Sequence, residues 1–236
     1  MATMVKEKAK EARNGLQKGI YCVINPCVHF LIKIGFTPNM VTTIGLLGNL
    51  AAAAVITYAG IKLNSQGITD WGLLTLAGAM IIGFSLFDML DGQVARLGNM
   101  ATSFGAMYDS VLDRYCEMFT LGALTYYFFC CGNTAGAIIT FFAMIGSVMV
   151  SYTRARAEGL TVKCSIGFMQ RPERVVVTAL ATLAAGIAGQ ASADFDPNII
   201  LIIAMGVIAV FANLTTFARL SYARKQLDEL DRSRKN

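Results

Sequence analysis

Charge is scarce in this chain. Lysine, arginine, aspartate and glutamate make up 15% of its 236 residues, against about 25% in an ordinary soluble domain. A conventional water-facing surface is thereby excluded. Histidine is scarcer still, with His29 the only one. The six cysteines, at 22, 27, 116, 130, 131 and 164, form no C-x2-C pattern. Together these absences argue against a zinc site, and the cysteines read as small apolar fillers. No internal repeat or low-complexity segment is found. The basic start MATMVKEKAK is not followed promptly by an apolar run with a small-residue cleavage site, so no removable signal peptide is expected.

What is abundant is hydrophobic sequence, at 55% of the chain. Apolar runs recur near 39–60, 71–93, 103–130, 135–153, 174–190 and 197–219, each close to the roughly 20 residues a helix needs to cross a bilayer. They are too long and too little alternating for barrel strands, and only helices or closed barrels satisfy the backbone in lipid. The expectation is an all-α polytopic membrane protein with six transmembrane helices. Residues 1–36 read as a juxtamembrane segment whose basic amphipathic part lies on an anionic membrane face. Residues 37–224 form the transmembrane domain and 225–236 a cytoplasmic tail, frayed at DRSRKN.

Basic residues set the orientation. Six lie before residue 36, five between 152 and 174, and six after 218, whereas the 61–70 connection has only Lys62 and 131–134 and 191–196 have none. The positive-inside rule then places both termini in the cytoplasm.

The stretch DMLDGQVARLGNMATSFGAMYDSVLDR (88–114) sets four acids at that cytoplasmic edge: Asp88, Asp91, Asp109 and Asp113. Within each pair the spacing is three or four residues, one helix face. Gly98-Asn99 is a breaker, so the stretch reads as helix, turn, helix. Carboxylates this close raise one another's pKa unless a cation shares the site. Oxygen ligands with no His or Cys beside them suit a hard divalent cation, Mg2+ or Mn2+. Gly92, Ala95 and Gly105 remove side-chain bulk and allow close approach of a ligand or of another helix. Arg96 is a fork-shaped donor suited to phosphate. Acids for a metal and an arginine for phosphate, at a membrane edge, suggest phosphoryl chemistry on a lipid-borne substrate.

The spacing Asp88-x2-Asp91-Gly92-x2-Ala95-Arg96-x8-Gly105-x3-Asp109-x3-Asp113 resembles the complete signature of the CDP-alcohol phosphotransferases, with all eight positions matched. That resemblance implies six transmembrane helices, a homodimer, and attack of an alcohol hydroxyl on CDP-diacylglycerol with release of CMP. It implies that the four aspartates hold two metal ions and that Asp113 is also the general base. Gly92, Ala95, Arg96 and Gly105 would then line the CDP-lipid site, joined by Asn39 and Thr42 from TPNMVT (37–42). An ordinary helix start with proline in its first turn explains that last stretch equally well. Membrane lipids are the surroundings, and no nucleic acid is expected as a partner.

The acceptor is read from SYTRARAEGLTVKCSIGFMQRPER (151–174), which is similar to the inositol-phosphate-using branch, the phosphatidylinositol phosphate synthases. Arg154, Arg171 and Arg174 are expected as a phosphate clamp, with Arg156 and Lys163 beside it. Convergent guanidiniums suit a phosphate dianion better than serine or choline. Glycerol 3-phosphate, as in phosphatidylglycerophosphate synthesis, is the runner-up, and free inositol follows. A small cation transporter is the non-enzyme alternative. It is disfavoured because all four acids cluster at one edge, where a transporter places them near mid-bilayer.

Overall fold

The computed structural model describes residues 25–191 and 195–235, with backbone alone at Asp88, Met89, Arg234 and Lys235. All regular structure in these residues is helical. The elements are α1 (25–33), α2 (Pro38–Gln66), α3 (Trp71–Leu97), α4 (Ser103–Cys130), α5 (Thr134–Glu158), α6 (Arg171–Ala191) and α7 (Asn198–Lys235). Five of them, α2, α3, α5, α6 and α7, are long and apolar enough to cross a membrane. The sixth expected span, α4, has the length, at 28 residues. Asp109, Asp113, Arg114 and Glu117 lie along it, and these charges keep it below the apolarity of the others. No disulfide joins the described cysteines, and Cys116 and Cys164 are buried.

The chain divides into two compact units, one comprising Met1–Gly45 and Leu86–Leu112, the other Leu46–Ser85 and Asp113–Asn236. In the first unit, Val28, Val41 and Val94 form a small buried core, with Leu31, Ile32, Phe36, Phe87, Leu90 and Met100 packed on it. Val28, Leu31 and Ile32 are spaced as one helix face, while Phe30 and Ile34 of the same segment stay exposed. The amphipathic part expected within 1–36 has this two-sided character where it is described; residues 1–24 lie outside the described residues. The amide of Phe36 bonds the carbonyl of Leu31, and that of Gly35 bonds Ile32. Gly35 takes φ 84°, the left-handed position of a Schellman cap that glycine fills at least cost.

The second unit holds the main core, where Ile56, Leu74, Leu121, Leu124, Phe128, Leu201, Met205 and Ile208 are buried together. Helices α5 and α6 both pack against α7. Gly48 of α2 lies directly beneath the ring of Phe84 on α3, so this small residue of the first span serves packing within the chain. With 38 residues, α7 is about 57 Å long, well beyond a hydrocarbon core of about 30 Å. The stretch expected as a separate tail from 225 continues this helix through Lys235. The continuation has a packing cause: Tyr222, Ala223 and Leu227 pack with Ala157, Val162 and Cys164.

Candidate functional site

The turn after the first aspartate pair is built by local sequence. At the end of α3, Met100 N–H bonds Ala95 O at 2.9 Å and Asn99 N–H bonds Arg96 O at 3.4 Å. This is a second Schellman cap, and Asn99 takes the left-handed position at φ 51°, a conformation asparagine tolerates better than most residues. The expected breaker therefore acts through its asparagine. Helix α4 is then capped by Thr102, whose Oγ1 accepts from Gly105 N–H at 2.9 Å, an N-cap bond. On α2, Thr37 plays the corresponding role, accepting from Met40 N–H at 3.4 Å, with Pro38 in the first turn where its missing N–H costs nothing.

These caps bring six expected residues to one cavity of about 250 Å³. Asn39, Thr42, Gly92, Ala95, Arg96 and Gly105 line it together with Asp91 and Asp109. Asp91 is buried, and its Oδ2 accepts from Thr42 Oγ1 at 2.7 Å. A bond of this kind holds the carboxylate in one orientation. Thr43 and Tyr108 share a hydroxyl bond at 3.0 Å, tying α2 to α4 beside the cavity. A side chain at Gly105 would press on Thr102 Oγ1 and Asn39 Oδ1, at 3.0 and 3.2 Å from its Cβ. The glycine thus permits the close approach of Asn39. At Gly92 a Cβ would meet nothing nearer than Arg96 Nη2 at 3.6 Å.

The acids of this cavity, Asp91 and Asp109, offer oxygen alone, and neither His nor Cys lines it. That donor chemistry fits a hard divalent cation such as Mg2+ or Mn2+. Among the described residues no three His, Cys, Asp or Glu side chains gather into a metal cluster. The side chain of Asp88 lies outside the described residues.

In the second unit, Arg171 Nη2 meets Asp113 Oδ1 at 2.8 Å, with the Arg171 side chain 24% exposed. One helical turn further along both helices, Arg174 and Glu117 make a second rung. Arg174 Nε and Nη2 donate to Glu117 Oε1 and Oε2 at 2.6 and 2.9 Å. Its Nη1 donates to Met169 O at 3.0 Å, and Nη2 also reaches Ser147 O at 3.4 Å. Arg174 is 1% exposed and Glu117 7%, so this expected clamp arginine is engaged inside the protein. Arg154 pairs with Glu158 at 2.9 Å on the α5 surface. Arg156 and Lys163 are exposed.

Three residues of this region escaped sequence reasoning: Glu117, Ser147 and Arg219. A lone carboxylate in the apolar run of α4 was a usable signal for Glu117, since such a group needs a buried partner. Arg219 had been counted only among the tail charges. It is 2% exposed, and its Nε and Nη1 donate to Ile166 O and Val150 O, both at 2.7 Å.

Residues 36–218 match the family model described as CDP-alcohol phosphatidyltransferase. The chain is 32% identical over 210 residues to a phosphatidylinositol phosphate synthase of Mycobacteroides abscessus, covering 89% of this chain and 87% of that one. Two crystal structures of the Mycobacterium tuberculosis phosphatidylinositol phosphate synthase are similar in fold. The one with CDP-DAG bound has a TM-score of 0.70 at 28% identity, covering 85% of this chain and 93% of that one. The one in complex with manganese and citrate has a TM-score of 0.70 at 26% identity, with coverage of 85% and 88%. The likeness to transferases along nearly the whole chain removes the cation-transporter alternative. The eight-position motif, the cavity it lines and the match across 36–218 together make this membrane protein a member of the CDP-alcohol phosphatidyltransferase family.

Proposed function

We propose that the protein transfers the phosphatidyl group from CDP-diacylglycerol to a phosphorylated inositol, giving phosphatidylinositol phosphate and CMP. The observation that carries the acceptor is the Arg171–Asp113 pair at 2.8 Å. A guanidinium suited to a phosphate dianion stands beside the last carboxylate of the motif. A phosphate held by Arg171 brings its own alcohol toward that carboxylate, and orientation of this kind accounts for much of a transfer barrier.

Asp113 takes the hydroxyl proton as the alcohol oxygen attacks the phosphorus that carries the diacylglycerol. A new P–O bond forms, the P–O bond to CMP breaks, and CMP departs with the electron pair. The cavity lined by Asn39, Thr42, Gly92, Ala95, Arg96 and Gly105 receives the cytidine end, with Arg96 on its phosphates. Asp88, Asp91, Asp109 and Asp113 would hold two divalent ions, Mg2+ or Mn2+. When bound, the ions supply charge neutralisation to the diphosphate. Arg154, Arg156 and Lys163 add positive charge around the acceptor.

The same reading places the site and both termini on the cytoplasmic face, following the basic residues. It also makes the protein a homodimer, which the mass of the detergent-solubilised particle checks. The deciding experiment measures CMP release from CDP-diacylglycerol with Mg2+ and one acceptor at a time. Inositol 1-phosphate is expected to support the highest kcat/KM. Preference for glycerol 3-phosphate would make the protein a phosphatidylglycerophosphate synthase. Preference for free inositol would remove the phosphate clamp.

A further inference from the structure

We propose that Arg219 and Gly167 are positioning residues for the acceptor. They do not touch it, but fix the α5–α6 connection (159–170) against α5 and α7. The proposal rests on the acceptor reading above, since Lys163 lies in this connection and Arg171 begins the helix that follows it.

The observations come from both sides of the connection. Arg219 on α7 donates through Nε to Ile166 O in the connection and through Nη1 to Val150 O in α5. Arg174 on α6 does the same from the other side, reaching Met169 O in the connection and Ser147 O in α5. Each guanidinium therefore ties one connection carbonyl to one α5 carbonyl, and the two α5 carbonyls lie three residues apart. Gly167 sits between the two tied carbonyls at φ 113°, a conformation that side-chain-bearing residues rarely adopt. A Cβ there would overlap Thr215 Cγ2, one turn before Arg219 on α7. Cys164 Sγ lies 3.7 Å from the carbonyl of Arg219 itself, and burial pushes its thiol pKa up. Along 161–164 exposure alternates: Val162 and Cys164 are buried, while Thr161 and Lys163 face outward.

Stability alone is a poor reason to bury this guanidinium. Removing such a charge from water costs several kcal/mol, and apolar replacement of buried charged groups is often neutral or stabilising. Geometry is the better reason. The Ile166 carbonyl of this irregular segment needs a donor, and a planar fork supplies it while holding the Val150 carbonyl of α5 in a fixed relation to it. A lysine, with a compact ammonium on a flexible stem, cannot reproduce that fork. The result is a set course for the backbone that presents Lys163 and leads to Arg171, starting from the end of α5 that carries Arg154 and Arg156.

The test uses the full-length protein in detergent with two variants, Arg219→Lys and Gly167→Ala. The first keeps the charge and loses the fork; the second keeps every charge and disturbs the backbone. Each is expected to raise KM for the phosphorylated acceptor by about tenfold, a change equal to roughly 1.4 kcal/mol, with KM for CDP-diacylglycerol within about twofold. Amide hydrogen exchange across 164–168 should accelerate in both, with the rest of the chain unchanged. An equal rise in both KM values would overturn the proposal, because a general loss of structure does that. So would a normal acceptor KM in Gly167→Ala beside a raised one in Arg219→Lys, the pattern of direct contact between Arg219 and substrate. The acceptor used is whichever one the wild-type protein turns over, so a mistaken choice of alcohol does not disturb the comparison. If no acceptor is turned over, unchanged exchange at 164–168 in Arg219→Lys still overturns the tie and accelerated exchange still supports it.

Discussion

Two arginines three residues apart on α6 illustrate how burial divides roles that sequence spacing makes equivalent. Arg171 is part-exposed beside Asp113, within reach of an incoming anion. Arg174 is enclosed, and its donors are spent on Glu117, Met169 and Ser147. Removing Arg171 takes a charge from a surface that water can re-solvate. Removing Arg174 leaves Glu117 buried and without its main partner, which costs about 3–5 kcal/mol when a buried pair is broken from one side. Arg171→Ala is therefore expected to keep a wild-type thermal midpoint and raise KM for the phosphorylated acceptor. Arg174→Ala is expected to unfold at a markedly lower temperature. Thermal unfolding in detergent and acceptor kinetics on the two variants check this. Equal midpoints, with both acceptor KM values raised, would return Arg174 to the clamp.

At the scale of elements, the ends of the helices were legible where a local rule governs them. Pro38 in the first turn of α2 and Gly98-Asn99 after α3 were read from sequence, because caps and breakers act within four or five residues. The motif was legible for a related reason: acids three or four apart share a helix face wherever the helix goes. The Glu117–Arg174 pair and the Arg219 ties were not, since their partners lie 57 and 53 residues away and no local pattern announces them. The end of α7 was missed because its polar face reads as tail, and the apolar side of Tyr222, Ala223 and Leu227 gains meaning only against Val162 and Cys164.

The α2–α3 connection carries a prediction of its own. Asp70 caps α3 through Oδ1, accepting from Gly72 N–H at 3.1 Å, and its Oδ2 meets Lys62 Nζ at 2.7 Å. The hydrogen bond from Lys62 holds the Asp70 carboxyl below its ordinary pKa. A carboxylate with a depressed folded-state pKa contributes stability that is present above the unfolded value and lost as pH falls through the folded one. Asp70→Asn retains a capping side chain and removes the ion pair. Wild type is expected to melt slightly above this variant at neutral pH, the gap being small because both groups are part-exposed. The gap should close as pH falls below the carboxylate range; a gap that widens in acid would contradict the assignment.

The whole molecule shows its solvent by its exterior. Phe129, Phe141, Leu180, Ile203, Leu214 and Phe217 are among many large apolar side chains left exposed on the long helices. A water-soluble monomer rarely exposes apolar surface on that scale, and lipid is the medium that accepts it. Sidedness follows from charge and from helix length together. Because α7 outruns the hydrocarbon core, its last turns emerge on one face, and the packing of Leu227 with Val162 and Cys164 puts the α5–α6 connection on that same face. On the proposed orientation, in which the basic residues at 152–174 and after 218 mark the cytoplasm, this is the cytoplasmic face, and the 61–70 connection, with Lys62 its one basic residue, belongs to the other. Ser65, Ser165 and Ser233 are all exposed, and each is replaced singly by cysteine for labelling with a membrane-impermeant maleimide in vesicles of known orientation. The six native cysteines set the background through the unsubstituted chain. Ser165→Cys and Ser233→Cys are expected to label together, from the cytoplasmic side, and Ser65→Cys from the opposite side alone. Labelling of Ser65→Cys and Ser165→Cys from one side would mean that α2 and its successors do not cross as an alternating series, and the lipid-edge placement of the four aspartates would fall with it.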